Sequence, residues 1–331
     1  MSHIFDGLQK SESERSGSDS FAPKDALELL REIERRAAST WEAEALVGPS
    51  LPMTDTRRDT PFVRREEPLG ATAVEPPSVS ELPAKDKGEG ISDQFQPLQI
   101  SVVPQNRLVC VTDNESPAAE AFRLLGVRFR DLRRKRPLRS VLITSTIPQE
   151  GKSLVSANLA CTLALKVPEK ILLVEGDLRR PSLSKMFGIE NVPGLSQWLA
   201  GEHSLVNCIY YLEAAGIWVL PAGISSGNPL ELLQSGKLPK LMEQLAQQFD
   251  WVIVDSPPIL PLADTSVWMR LVDGVLLVTR EGTTEKRQLK RGLEAIEPKK
   301  LIGALLNGAT NPADTSYYYY RKPAMSSTSS S

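Results

Sequence analysis

VLITSTIPQEGKS (Val141–Ser153), running into LVSANLACTLAL (Leu154–Leu165), is the stretch that sets the fold class. Val141–Thr144 is a short apolar run rich in strand-forming side chains, and the residues after Ser153 repeat at helical spacing. Between them Ser145, Thr146, Ile147, Pro148, Gln149, Glu150, Gly151, Lys152 and Ser153 make a loop that opens the helix. The backbone N–H groups of such a loop, with those of the first helical turn through Leu154, can surround phosphate oxygens. Lys152 would then reach the β- and γ-phosphates, and the Ser153 hydroxyl would ligate Mg²⁺. The text departs from G-x-x-x-x-G-K-[ST] at one place, Thr146 standing where the first Gly belongs. A Gly-Lys-Ser triplet at a helix start also occurs as an ordinary N-cap, so the reading needs support from elsewhere in the chain.

Two acidic motifs supply it. Ile171–Val174 ends in Glu175-Gly176-Asp177-Leu178-Arg179-Arg180-Pro181, and Trp251–Val254 ends in Asp255-Ser256-Pro257-Pro258. An apolar run that delivers a carboxylate to a strand tip suits Mg²⁺, which keeps much of its water and is held through a few oxygens. A single Asp in such a place is more often a turn or cap residue. Three tips in the order lysine loop, acidic loop, acidic loop make an ATP and Mg²⁺ site the better account. Further runs at Ile217–Leu220, Val275–Thr279 and Leu301–Leu306 alternate with helical patterns at Leu154–Lys166, Pro229–Phe249, Ala263–Leu271 and Thr284–Ile296. Unbroken strands separated by helices predict an α/β, doubly wound, mostly parallel sheet with helices on both faces. Ligands of such sheets sit at the carboxyl ends of the strands, so the expected fold is that of a P-loop NTPase.

Composition divides the 331 residues into an arm (1–105), a nucleotide-binding domain (106–310) and a tail (311–331). Gly48–Pro104 is rich in Pro, charge and Ser/Thr without apolar periodicity, and reads as a linker in a largely disordered N-terminal arm. Within the arm, Ala26, Leu29, Leu30, Ile33, Ala37 and Trp41 fall on one helical stripe, which reads equally as a marginal helix or as one that docks a partner. A formal charge of −2 and a pI near 5.9 give no global attraction to nucleic acid. Three scattered cysteines argue against a disulfide framework or a zinc site and fit a reducing cytoplasm. The N-terminal residues lack a signal-peptide core, and no apolar run reaches membrane-spanning length, so membrane contact is expected only through a partner. The basic run Arg128–Arg139 reads either as a face for anionic lipid or an acidic partner, or more commonly as a solvated helix end.

At this point the residues resemble the bacterial tyrosine kinases of capsule and exopolysaccharide systems. Thr144–Ser153 looks like their Walker A motif, LLVEGDLRRP (Leu172–Pro181) like Walker A′, and VIVDSPP (Val252–Pro258) like Walker B. SPAAEAFR (Ser116–Arg123), PGLSQWLAGE (Pro193–Glu202), LPAGISSGNPLELL (Leu220–Leu233), DGVLLVTREGTT (Asp273–Thr284) and GALLNG (Gly303–Gly308) are further similar stretches in the same order. Tyr317, Tyr318, Tyr319 and Tyr320 stand in a Ser-rich tail with nothing to pack against, and read as phosphoacceptors. The ten residues from Asn307 to Tyr317 span roughly 33–36 Å when extended, enough to enter the chain's own site or a neighbour's; the resemblance favours the neighbour's, and hence a homo-oligomer. Three positions depart from the family pattern. Glu175 replaces an Asp, Gln149 stands where many relatives have Gly, and Gly126 replaces the last Arg of an E-x-x-R-x-x-R motif begun by Glu120 and Arg123.

The resemblance implies an Mg-ATP-dependent autokinase. Lys152 would neutralise charge at the β/γ bridge, Ser153 and Asp255 would hold the metal, and Asp177, with Glu175 as helper, would lie near the acceptor hydroxyl as base or metal ligand. Arg179 and Arg180 read as phosphate contacts or as a solvated turn, and Asn307 as an adenine contact or a turn former. It further implies a separate transmembrane activator, a chain-length regulator of polysaccharide polymerisation or export, that holds the chain at the inner face of the plasma membrane. Two rivals stand beside this reading: a partition or cell-division-site switch ATPase, against which Ile147 counts because those carry a second lysine there, and a nucleotide-binding pseudokinase.

Overall fold

The runs read as strands all lie in one eight-stranded sheet. The computed structural model describes residues 95–98, 107–165, 169–224 and 227–309. In chain order the strands are β1 (Gln96–Leu98), β2 (Ser140–Ser145), β3 (Ile171–Glu175), β4 (Tyr210–Leu212), β5 (Ile217–Leu220), β6 (Trp251–Asp255), β7 (Gly274–Arg280) and β8 (Leu301–Asn307). Across the sheet they run β1-β4-β5-β3-β6-β2-β7-β8, and every neighbouring pair is parallel except β4 with β5.

Side chains alternate across the sheet with a period of two, and the apolar runs therefore feed two cores. Val141, Ile143, Leu173 and Ile253 enter the core covered by α1 (Val109–Thr112), α2 (Pro117–Lys135), α3 (Lys152–Ala164) and α4 (Leu183–Phe187). Leu142, Val174, Val252 and Val254 enter the other, covered by α5 (Leu195–Ala200), α6 (Pro229–Leu233), α7 (Leu238–Gln248), α8 (Asp264–Leu271) and α9 (Lys286–Glu294). Burial on both faces is why these strands read as unbroken hydrophobic runs. The helix that follows the phosphate loop, α3, is buried along nearly its whole length, and Ser156, Ala157, Ala160 and Cys161 keep it slim enough to fit.

Three expectations need correcting. The linker assigned to Gly48–Pro104 contains β1, which pairs with β4, and Phe95 beside it is buried with its ring 6.3 Å from that of Phe249. The helix expected over Pro229–Phe249 is two helices, α6 and α7, because Gly236 between them adopts φ +78°. The basic run Arg128–Arg139 divides: Arg128, Arg134 and Lys135 are exposed, as in a solvated helix end, whereas the other basic side chains are engaged by the fold. Arg130 pairs with Glu169 at 3.1 Å, Arg133 lies 4.9 Å over the Trp251 ring, and Arg136 and Arg139 donate to backbone carbonyls of Lys299 and Ala246. Gly126 is buried where α2 crosses α3; an added Cβ would sit 3.4 Å from Thr162 Cγ2, at the edge of ordinary contact. The arm helix around Leu29–Trp41 and the tyrosines Tyr317–Tyr320 lie outside the described residues.

Candidate functional site

β3, β6 and β2 are consecutive in the sheet, so their carboxyl ends bring Glu175, Asp255 and Ser145 side by side. The register sets Asp255 opposite Glu175 on one side and Ile143 on the other. The phosphate loop leaves β2 at Ser145 and turns into α3 at Gly151, whose φ of 91° is left-handed. A Cβ at Gly151 would also lie 2.0 Å from the Asn307 amide nitrogen, so both conformation and space select glycine. Gln149 holds φ 68° without being glycine, a strained choice for an exposed loop residue.

On the side facing β6, Lys152 Nζ lies 3.1 Å from Asp177 Oδ2 and donates to Ser153 Oγ at 3.3 Å. Burial works against the Lys152 charge, but Asp255, Asp177 and Glu175 around it prevail and raise its pKa, so the ammonium stays protonated. Asp255 is fully buried; burial pushes its carboxyl up to about 6, while the Lys152 charge and the Ser153 hydroxyl pull the other way. Ser156 donates to Asp255 Oδ1 at 3.3 Å, and Oδ2 lacks a hydrogen-bond partner of normal geometry. An unpartnered buried carboxylate oxygen beside a hydroxyl and a lysine is what a divalent cation with a water shell would complete. Ser153, Asp177 and Asp255 therefore fit Mg²⁺, a hard cation taking oxygen ligands.

On the side facing β7 the loop is fastened to the protein. Glu150, also wholly buried, accepts the Ile147 N–H at 2.8 Å and the Thr284 hydroxyl, which in turn is met by the Thr279 hydroxyl at 2.9 Å. Burial raises the Glu150 pKa, and the Thr284 hydroxyl and the loop N–H groups oppose that rise. Arg280 donates to the Gln149 carbonyl at 3.3 Å, and Asn307 Nδ2 to the Glu150 carbonyl at 2.9 Å.

The sequence-expected residues thus part company. Lys152, Ser153, Asp177 and Asp255 converge. Asn307 holds the loop by its carbonyl. Arg179, expected at phosphate or solvent, makes a two-pronged ion pair with buried Asp264 at 2.8 and 3.1 Å; Arg180 is exposed, and its N–H is held by Asp177 Oδ1 at 3.0 Å. Glu175, expected as a helper to the base, has both oxygens engaged. They accept from Leu183 N at 2.6 Å, Ser184 N at 3.3 Å, Ala222 N at 3.0 Å and the Ser184 hydroxyl. Asp264, Ser156 and Thr284 went unnoticed as site residues, since Asp, Ser and Thr near helix starts usually serve as caps.

No family model matches the chain. It is 34% identical over 218 residues to the tyrosine-protein kinase YwqD of Bacillus subtilis, covering 65% of this chain and 92% of that protein. It superposes on the kinase domain of the Escherichia coli tyrosine kinase ETK with a TM-score of 0.59 at 32% identity, over 61% of this chain and 80% of that one. A crystal structure of the chimerical protein CapA2B2 is similar at a TM-score of 0.57 and 30% identity, over 63% and 91%.

Proposed function

We propose, since this chain belongs to the bacterial tyrosine kinase family, that it transfers the γ-phosphoryl group of Mg-ATP to tyrosines of its own tail, Tyr317–Tyr320, in a neighbouring copy. The observation that carries this is the convergence of Lys152, Asp177 and Asp255 beneath the amino end of α3. The triphosphate would lie against the opening turn of α3, Gly151–Leu154, with the loop before it held in shape because the Ile147 N–H is taken by the Glu150 carboxylate. Bound Mg²⁺ would neutralise charge on the β- and γ-phosphates, with Ser153 and Asp255 holding it or its waters.

The chain's own groups do the rest. The phenolic oxygen attacks the γ-phosphorus and the bond to the β–γ bridging oxygen breaks, leaving ADP. The Lys152 ammonium meets the charge that grows on that bridging oxygen. Asp177 takes the phenolic proton on Oδ2, which Lys152 Nζ faces at 3.1 Å and frees as it turns to the phosphates, while Oδ1 stays fixed by the Arg180 N–H. Arg179 and Asp264 hold the Asp177 loop against the segment after β6. Among the described residues no helix is long and apolar enough to cross a membrane. A separate membrane-spanning activator that controls polysaccharide export is the partner this reading takes, and it would place the kinase at the inner membrane face.

Mass spectrometry of the full chain after incubation with Mg-ATP and its activator tests the reading. Phosphate on Tyr317–Tyr320 is expected. A tail that stays unmodified while ATP binds would instead make the chain a pseudokinase.

A further inference from the structure

Glu175 ends β3, and the loop that follows, Gly176–Ser182, carries Asp177 before α4 begins at Leu183. The Glu175 carboxylate takes the Leu183 and Ser184 N–H groups and the Ser184 hydroxyl, so the residue before the loop grips the residues after it. The same carboxylate takes the N–H of Ala222, just beyond β5. Its side chain is wholly buried. The loop is thereby closed on itself and pinned to the neighbouring strand exit, with Asp177 near its start, 3.1 Å from Lys152. Gly176 leaves no slack: its N–H donates to the Asp255 carbonyl at 2.7 Å, and an added Cβ would lie 2.9 Å from that carbonyl and from the Trp268 ring.

We infer that Glu175 is a positioning residue, a clasp that closes the Gly176–Ser182 loop and sets Asp177 at the phosphate site, and that it takes no proton in the reaction. A base must turn a free oxygen toward the acceptor hydroxyl, whereas each Glu175 oxygen already accepts from two donors. Three of the four donors are backbone N–H groups, which no rotamer change can carry away. The length of the side chain is part of the device. An aspartate draws the carboxylate back by one methylene and cannot span from Leu183 to Ala222, so restoring the family's usual residue should do harm in this chain. The inference rests on the proposed function for its catalytic consequence, but its structural content does not.

The experiment compares full-length wild type, Glu175→Asp and Glu175→Gln by three measurements. The first is amide hydrogen exchange of the nucleotide-free protein. Exchange at Leu183, Ser184 and Ala222 should be roughly tenfold faster in Glu175→Asp than in wild type. In Glu175→Gln the amide oxygen still accepts at one end of the clasp while the NH2 group strands a backbone N–H at the other, so exchange should rise at one end only. The second is equilibrium affinity for Mg-ATP, which should weaken by roughly tenfold in Glu175→Asp and less in Glu175→Gln. The third is tail phosphorylation at saturating Mg-ATP, where Glu175→Gln should stay within a few-fold of wild type. The inference is overturned if Glu175→Gln loses about 10²-fold or more at saturation with exchange and affinity intact, which is what removing a base does. It is equally overturned if exchange at those amides is unchanged in Glu175→Asp. Should either variant fail to fold, Ser184→Ala removes a single donor and should move exchange and affinity in the same direction by a smaller factor; no change there counts against the clasp. Wild type that binds no Mg-ATP would sink the proposed function and leave the exchange result to decide the clasp by itself.

Discussion

Glu150 and Asp255 are both wholly buried carboxylates, one on the β7 side of the phosphate loop and one on the β6 side. Burial raises the pKa of each, yet their surroundings differ. Glu150 has both oxygens bonded, to Ile147 and Thr284, and so acts as a strut for the loop. Asp255 keeps one oxygen without a hydrogen-bond partner and faces a lysine that also pairs with Asp177 at 3.1 Å. A buried acid that is fully satisfied belongs to the fold; one left half satisfied is waiting for something to bind.

The largest test of that division is Lys152→Ala. Phosphotransfer to the tail should fall by about 10²-fold or more when followed by transfer of labelled phosphate, as expected when a group meeting transition-state charge is lost. Near-normal turnover would mean that the β6 side is not the reacting side. Next in size is Glu150→Ala, which strands a loop N–H and a hydroxyl away from water. Urea unfolding should show a loss of about 2–3 kcal/mol, with Glu150→Gln losing less. If Glu150→Ala unfolds like wild type, the strut does not exist.

A smaller effect separates the two acids by pH. The Asp255 carboxyl sits at about 6 against an ordinary 3.8, so between those values the folded protein holds the extra proton. Its contribution to stability is therefore fully present below about pH 4 and is lost as pH rises through about 6. Mg²⁺ needs the ionised form, so Mg-ATP affinity should drop by up to about tenfold per pH unit below 6, measured calorimetrically. Asp255→Asn should flatten that part of the slope, and a slope unchanged by the substitution would show that another group titrates. The smallest effect is expected from Gln149→Gly, which removes a side chain from a left-handed turn. It should raise the unfolding free energy by about 1 kcal/mol or less, and a loss instead would mean that the side chain supports the loop.

Much of the β6 side was legible in the sequence because its residues come with a local grammar. Apolar runs lead to Lys152, Asp177 and Asp255, and parallel neighbours bring such tips together. The β7 side carries no grammar of that kind. Glu150 and Thr284 are 134 residues apart in sequence, and neither lies in a pattern that announces a partner. Glu175 shows the opposite failing, since its motif reads as catalytic while its hydrogen bonds to Leu183 and Ala222 are invisible without coordinates. Among the strands, β1 and β4 are three residues each at one edge of the sheet, too short for periodicity to register, and β1 is set among prolines and charges that resemble a linker. The break between α6 and α7 was signalled by Gly236, but apolar spacing on both sides of it suggested one continuous helix.

The contact between Asn307 and the phosphate loop has a consequence for the tail. Asn307 is the last residue of β8, and Tyr317–Tyr320 begin ten residues later. Its amide rests on the Glu150 carbonyl, hard against Gly151. On the proposed function, the residues that carry the acceptors leave the described domain beside the phosphate loop rather than at a remote corner. On that reading the donor's own phosphate loop would be the anchor from which a tyrosine is cast, whichever copy receives it, and local concentration around the anchor, set by tether length, would govern how often it arrives.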